Sequence, residues 1–117
     1  AKPDTPVLAV MGDAGLEMVI GELATARDLG LKGLAILVLV DDSLALIEKK
    51  QRAMGLPNVG VDFTRTDLIA VAEGFGCRAH LARSALGVED GLRAAYAADR
   101  PMLIAAEIGR KAYEGAF

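Results

Sequence analysis

The sequence is short of the residues on which several kinds of site depend. It has one cysteine, one histidine and no tryptophan, and aromatic residues make up 4% of its 117 positions. A lone cysteine, Cys77, excludes an internal disulfide and fits a reducing cytoplasm. One histidine and one cysteine leave too few nitrogen and sulfur donors for a zinc centre of the usual kind. So few rings also exclude a base-stacking platform for nucleic acid. The net charge is −3, with no basic cluster, which argues against nucleic acid and anionic membrane as partners. The longest apolar run, Leu34 to Val40, is far too short to cross a bilayer. The opening residues, AKPDTPV, carry no signal-peptide pattern.

What the chain has in quantity is apolar side chain, 53% of it. That is enough for the core of one domain spanning 1–117, with apolar surface left for a partner. The apolar residues fall into alternating strands and helices. PVLAVMG (Pro6 to Gly12) and LAILVLV (Leu34 to Val40) are continuous apolar runs that predict buried strands. CRAHLA (Cys77 to Ala82) and MLIAAEI (Met102 to Ile108) predict two more, the last followed by a polar tail. Between them, Met18, Leu23 and Ala26 suit one face of a helix from Glu17 to about Leu29, with Gly30 as its stop. Leu44 to Met54 predicts a helix with a charged outer face, and Gly55 to Phe63 a loop. Thr66 suits an N-cap for a helix over Asp67 to Phe75, and Val88, Leu92, Ala95 and Tyr96 mark a further helix before Pro101. The pattern predicts an α/β fold of three layers, α/β/α, around a mainly parallel sheet. Ligands of such folds sit at the carboxyl ends of the strands, which here means the segments Gly12 to Gly15 and Asp41 to Ser43.

Both segments are acidic. Asp13 follows the first strand inside a turn of small residues, and Gly12, Ala14 and Gly15 let a ligand approach the backbone. Asp13 would repel a bare phosphate unless a divalent cation lay between them. Asp41 and the carbonyl of Ser43 offer further oxygens, and Mg²⁺ favours a few such ligands together with phosphate oxygens and water. The plain alternative is that these residues merely cap and begin helices.

With these residues in view, the sequence resembles the thiamine diphosphate (ThDP) enzymes of the acetolactate synthase and pyruvate decarboxylase type. MGDAGLEMVIGELATARDLGL resembles their "GDG" or "GDA" turn and helix, and LAILVLVDDSLALIEKKQ resembles the strand, "NN" pair and helix that follow. DFTRTDLIAVAEGFGCRA and RPMLIAAEI resemble later segments, so the likeness runs through nearly the whole chain. The resemblance implies a ThDP-binding fold in which Asp13, Asp41 and the Ser43 carbonyl hold Mg²⁺ on the diphosphate. Aligning Leu44-Ala45-Leu46-Ile47 puts Asp41 at the second Asn of the pair, with Asp42 as the alternative ligand. It further implies that Gly12, Ala14 and Gly15 meet the diphosphate, and that Glu17 lies near the cofactor. Asp in place of Asn is a departure that adds negative charge.

The resemblance also implies a C-terminal domain fragment of a larger enzyme, with no catalytic residue of its own. The full enzyme would act on a 2-oxo acid by decarboxylation and carboligation, contact its other domains, and form a homo-oligomer, a dimer or tetramer. Two other readings stand beside this one. A domain of this fold could serve subunit contact alone. VLVDDS also resembles the acid pair of a response-regulator receiver. A receiver needs a later Asp ending an apolar strand, and Asp62, Asp67, Asp90 and Asp99 do not follow one, while Lys111 lies in the tail. Cys77 reads as a small buried hydrophobe and His80 as a packed strand residue.

Overall fold

The structure, a computed structural model, describes residues 5–109. The element order is β1 (Val7–Gly12), α1 (Asp13–Met18), α2 (Glu22–Asp28), β2 (Leu34–Val40), α3 (Ala45–Ala53), α4 (Leu68–Gly74), β3 (Arg78–Ala82), α5 (Ala85–Tyr96) and β4 (Met102–Glu107). The four strands form one sheet in the order β1-β2-β4-β3, and every pairing is parallel. This is the α/β architecture that the alternation predicts.

Period-two alternation in β2 and β4 divides the core between the two faces of the sheet. Ile36, Val38, Val40, Leu103 and Ala105 pack with Leu16 of α1, Leu23 of α2, and Leu68 and Ala72 of α4. Ala35, Ile104 and Ala106 face the other way, against Ala95, Val88 and Leu92 of α5. The α5 layer sits close because Gly91 has no side chain. A Cβ there would lie 2.8 Å from the His80 ring and 3.1 Å from Ile104. His80 is packed as its strand position predicts, with Nε2 2.9 Å from the Gly87 carbonyl oxygen. Cys77 is buried, and its thiol is pushed up from its ordinary pKa chiefly by that burial.

Three expectations are corrected. The helix predicted over Glu17 to Leu29 is two helices, parted at Val19, Ile20 and Gly21, where the chain turns on bonds spanning three residues. Two β-branched residues and a glycine are weak helix formers, and the turn rotates Met18 off the core, leaving it 82% exposed. The first strand is not buried. β1 is an edge of the described sheet, and Val7, Leu8 and Val10 lie exposed. Thr66 does not cap α4. The cap is Asp67, whose carboxylate accepts from the Ala70 N–H at 3.0 Å, while the Thr66 hydroxyl donates to Glu17. The polar tail, including Lys111, lies outside the described residues. No helix among the described residues is long and apolar enough to cross a membrane.

Candidate functional site

Strand register brings the acids together. Gly12 of β1 pairs with Leu39 of β2, so Asp13 comes level with the last residue of β2 and beside Asp41. Asp13, Asp41 and Ser43 are the buried polar residues of the described chain, at 5%, 6% and 8% exposure.

The Asp13 carboxylate joins the two strand ends directly. Its Oδ2 accepts from the backbone N–H groups of Asp41 at 3.2 Å and Asp42 at 2.9 Å. Its Oδ1 accepts from the N–H of Ala14 at 2.8 Å. One oxygen of Asp41 in turn accepts from the N–H of Ser43 at 3.2 Å. Buried carboxylates are tolerated when hydrogen bonds and opposite charge offset the lost hydration. Here two of them sit side by side at the mouth of one cleft.

That cleft has a volume of about 230 Å³ and is bordered by Gly12, Asp13, Ala14, Gly15, Asp41 and Ser43 on one side and by Leu44 to Ile47 on another. Six of the residues singled out in the sequence therefore meet at one place, while Glu17 and Asp42 do not border the cleft. Gly12 is informative there. Its backbone is ordinary extended chain, φ −82° and ψ 165°, and a Cβ would meet no protein atom within 4 Å. Neither backbone strain nor packing requires a glycine at this position. What its absent side chain leaves is open space in the cleft, suited to a ligand close to the backbone. Among the described residues no group of three or more His, Cys, Asp or Glu is placed to hold a metal by itself. Two carboxylates and a carbonyl fit a hard cation that completes its shell with water and phosphate oxygens.

Asp42, the neighbour in the pair, faces other partners. Arg65 grips its carboxylate as a fork, from Nε at 2.9 and 3.0 Å and from Nη2 at 2.7 Å. The second arm of Arg65 reaches Glu107 at the end of β4 at 2.7 Å, and Arg83 holds the other Glu107 oxygen at 2.9 Å. The hydrogen bond to Asp42, followed by the attraction of its charge, raises the Arg65 pKa above its ordinary value. Arg65 and Glu107 border a different cleft of about 280 Å³, shared with Val40, Leu68 and Ala105, residues of the face that α4 covers. Sequence reasoning missed this network. Glu107 had a signal, since it is a third acid ending an apolar strand. Arg65 had none, because its partners lie 23 and 42 residues away.

The receiver reading is not supported by this arrangement. The acid pair ends the second strand of the chain, and Asp42 is closed by an arginine.

Known proteins share the family and the fold. The family model described as thiamine pyrophosphate enzyme, C-terminal TPP binding domain matches residues 1–106. The putative thiamine pyrophosphate-containing protein YdaP of Bacillus subtilis (strain 168) is 26% identical over 111 residues, covering 95% of this chain and 19% of that protein. Among solved structures, the thiamine diphosphate-dependent 4-hydroxybenzoylformate decarboxylase of Rhodococcus jostii RHA1 has the same fold. Its TM-score is 0.84 at 24% identity, over 92% of this chain and 20% of that one. The chain thus spans about a fifth of the length of the relatives it matches. On its alternating elements, its glycine turn and the family model that covers almost all of it, the chain belongs to the C-terminal, thiamine pyrophosphate-binding domains of the thiamine diphosphate-dependent enzymes.

Proposed function

We propose that this domain, taken as a single unit over 1–117, forms the metal–diphosphate half of a ThDP site in an acetolactate synthase-like enzyme acting on 2-oxo acids. The observation that carries the reading is the convergence of buried Asp13 and Asp41 on one cleft beside an unobstructed glycine. In this reading Asp13, Asp41 and the Ser43 carbonyl hold Mg²⁺, while Gly12, Ala14 and Gly15 form the backbone wall against the diphosphate. Asp42 serves the arginine instead. When bound, ThDP supplies the carbanion-stabilising chemistry that decarboxylation and carboligation require.

The residues of this chain contribute binding and position. The Asp13 carboxylate is held by three backbone N–H groups, so it is oriented before a cation arrives. Leu44, Leu46 and Ile47 give the cleft an apolar border. In this reading the domain supplies no catalytic group of its own, and the chemistry falls to other domains of the same polypeptide. In an oligomer, a dimer or tetramer, a second subunit would complete the site. The exposed apolar edge of β1 supports contact with such further protein.

The test is isothermal titration of the full polypeptide with ThDP, with and without Mg²⁺. The expected result is binding that requires Mg²⁺ and disappears in Asp13→Ala. A wild-type protein that binds no ThDP would leave a catalytically silent domain used for subunit contact. Product analysis with pyruvate and other 2-oxo acids then tests the reaction class.

A further inference from the structure

The Arg65–Asp42 fork lies outside the cleft that holds Asp13 and Asp41, yet it grips the residue between the two proposed metal-binding positions. Asp42 is the one non-glycine residue of the described chain with a positive φ, 56°. The left-handed region is unfavourable for a residue with a Cβ, although Asp tolerates it better than most, and it persists where surroundings impose it. The surroundings are identifiable. The Asp42 N–H donates to Asp13 Oδ2 at 2.9 Å. Its carboxylate takes the Arg65 fork, and its carbonyl accepts from the Phe63 N–H at 3.4 Å.

The left-handed turn directs what lies on either side of it. It lets the N–H groups of Asp41 and Asp42 converge on one Asp13 oxygen. It also turns Ser43 back, so that its N–H meets the Asp41 carboxylate. Arg65 is itself fixed, because its other arm is tied to Glu107 at the end of β4. The fork therefore ties the strained residue to the sheet.

We propose that Arg65 is a positioning residue for the cation site: through Asp42 it holds the turn that sets where Asp13, Asp41 and the Ser43 carbonyl present their oxygens. This rests on the reading of those three groups as Mg²⁺ ligands. Arg65 touches neither metal nor diphosphate.

The sign of the effect separates positioning from plain electrostatics. Removing a cation near a Mg²⁺ site strengthens Mg²⁺ binding if charge alone matters. Removing a positioning residue weakens it. The experiment measures Mg²⁺ affinity by titration calorimetry at saturating ThDP on the full polypeptide, together with thermal melting of each variant. Arg65→Gln is expected to bind Mg²⁺ about tenfold more weakly, in the range seen when supporting partners of metal ligands are lost. Arg65→Lys, which keeps a charged donor without the fork, should recover part of that loss. Asp42→Gly adopts a positive φ without strain, so adding Arg65→Gln to it should cost nothing further. Unchanged or tighter Mg²⁺ binding in Arg65→Gln would overturn the proposal. So would an equal loss in the Asp42→Gly background, or a lowered melting temperature with affinity intact. If the wild type shows no Mg²⁺-dependent ThDP binding, the underlying reading of the site fails; if it binds and Arg65→Gln is silent, this inference alone fails.

Discussion

Two groups of acids stand at the same end of one sheet, and the fold treats them differently. Asp13 is buried and accepts hydrogen bonds from backbone N–H groups. Asp42 and Glu107 are more accessible and are gripped by the guanidinium groups of Arg65 and Arg83. Guanidinium charges offset the second group within the chain, through a fork at Asp42 and single bonds at Glu107. Backbone N–H groups orient Asp13, which in the proposed reading suits a site completed by a cation from outside. Acidic residues at strand ends are therefore not equivalent: backbone N–H groups hold Asp13, and guanidinium groups hold Asp42 and Glu107.

The strongest way to break this contrast is to remove the cation or its ligand. If the proposed site holds, withholding Mg²⁺ or replacing Asp41 with Ala should weaken ThDP binding by about a hundredfold or more, since in that site either removes a link to the diphosphate. Asp41→Ala is a cleaner probe than Asp13→Ala. It takes the acceptor from the Ser43 N–H, whereas Asp13→Ala takes it from three N–H groups that join the two strand ends and costs stability as well. Equal ThDP affinity with and without Mg²⁺ would remove the distinction between the two groups. Next in size is Gly12→Ala. Its methyl would stand in the cleft without touching protein, so ThDP affinity should fall by roughly tenfold, about 1.4 kcal/mol, while the melting temperature of the ThDP-free protein stays put. A melting change without an affinity change would show that Gly12 serves the fold instead. The smallest effect belongs to the arginine group. Arg83→Ala removes an exposed ion pair to Glu107, so unfolding by urea should register no more than about 1 kcal/mol, and less at high salt.

Legibility followed the range of the physics involved. The strands and most helices were readable because periodicity is local. Asp13 and Asp41 stood out because each follows an apolar run, Asp13 inside a turn of small residues. Where non-local packing decides, the pattern misled. β1 has the composition of a buried strand, yet its edge position leaves Val7 and Val10 exposed. Met18 fits a continuous helix face, yet the turn at Val19 to Gly21 rotates it outward. Thr66 is as good a cap as Asp67 by residue type, and the start of the helix decided between them.

The sequence by itself determined a parallel α/β domain with an acidic, glycine-walled turn and a second acidic strand end, because burial periodicity and turn chemistry act over a few residues. It also pointed to the family, through the MGDAG turn and the VLVDDS strand end. Only the tertiary structure separated Asp41 from its neighbour Asp42. Strand register put Asp41 against Asp13, and a left-handed turn sent Asp42 to Arg65. Two adjacent, chemically identical side chains can be told apart only by what surrounds them, and those surroundings come from residues more than twenty positions away.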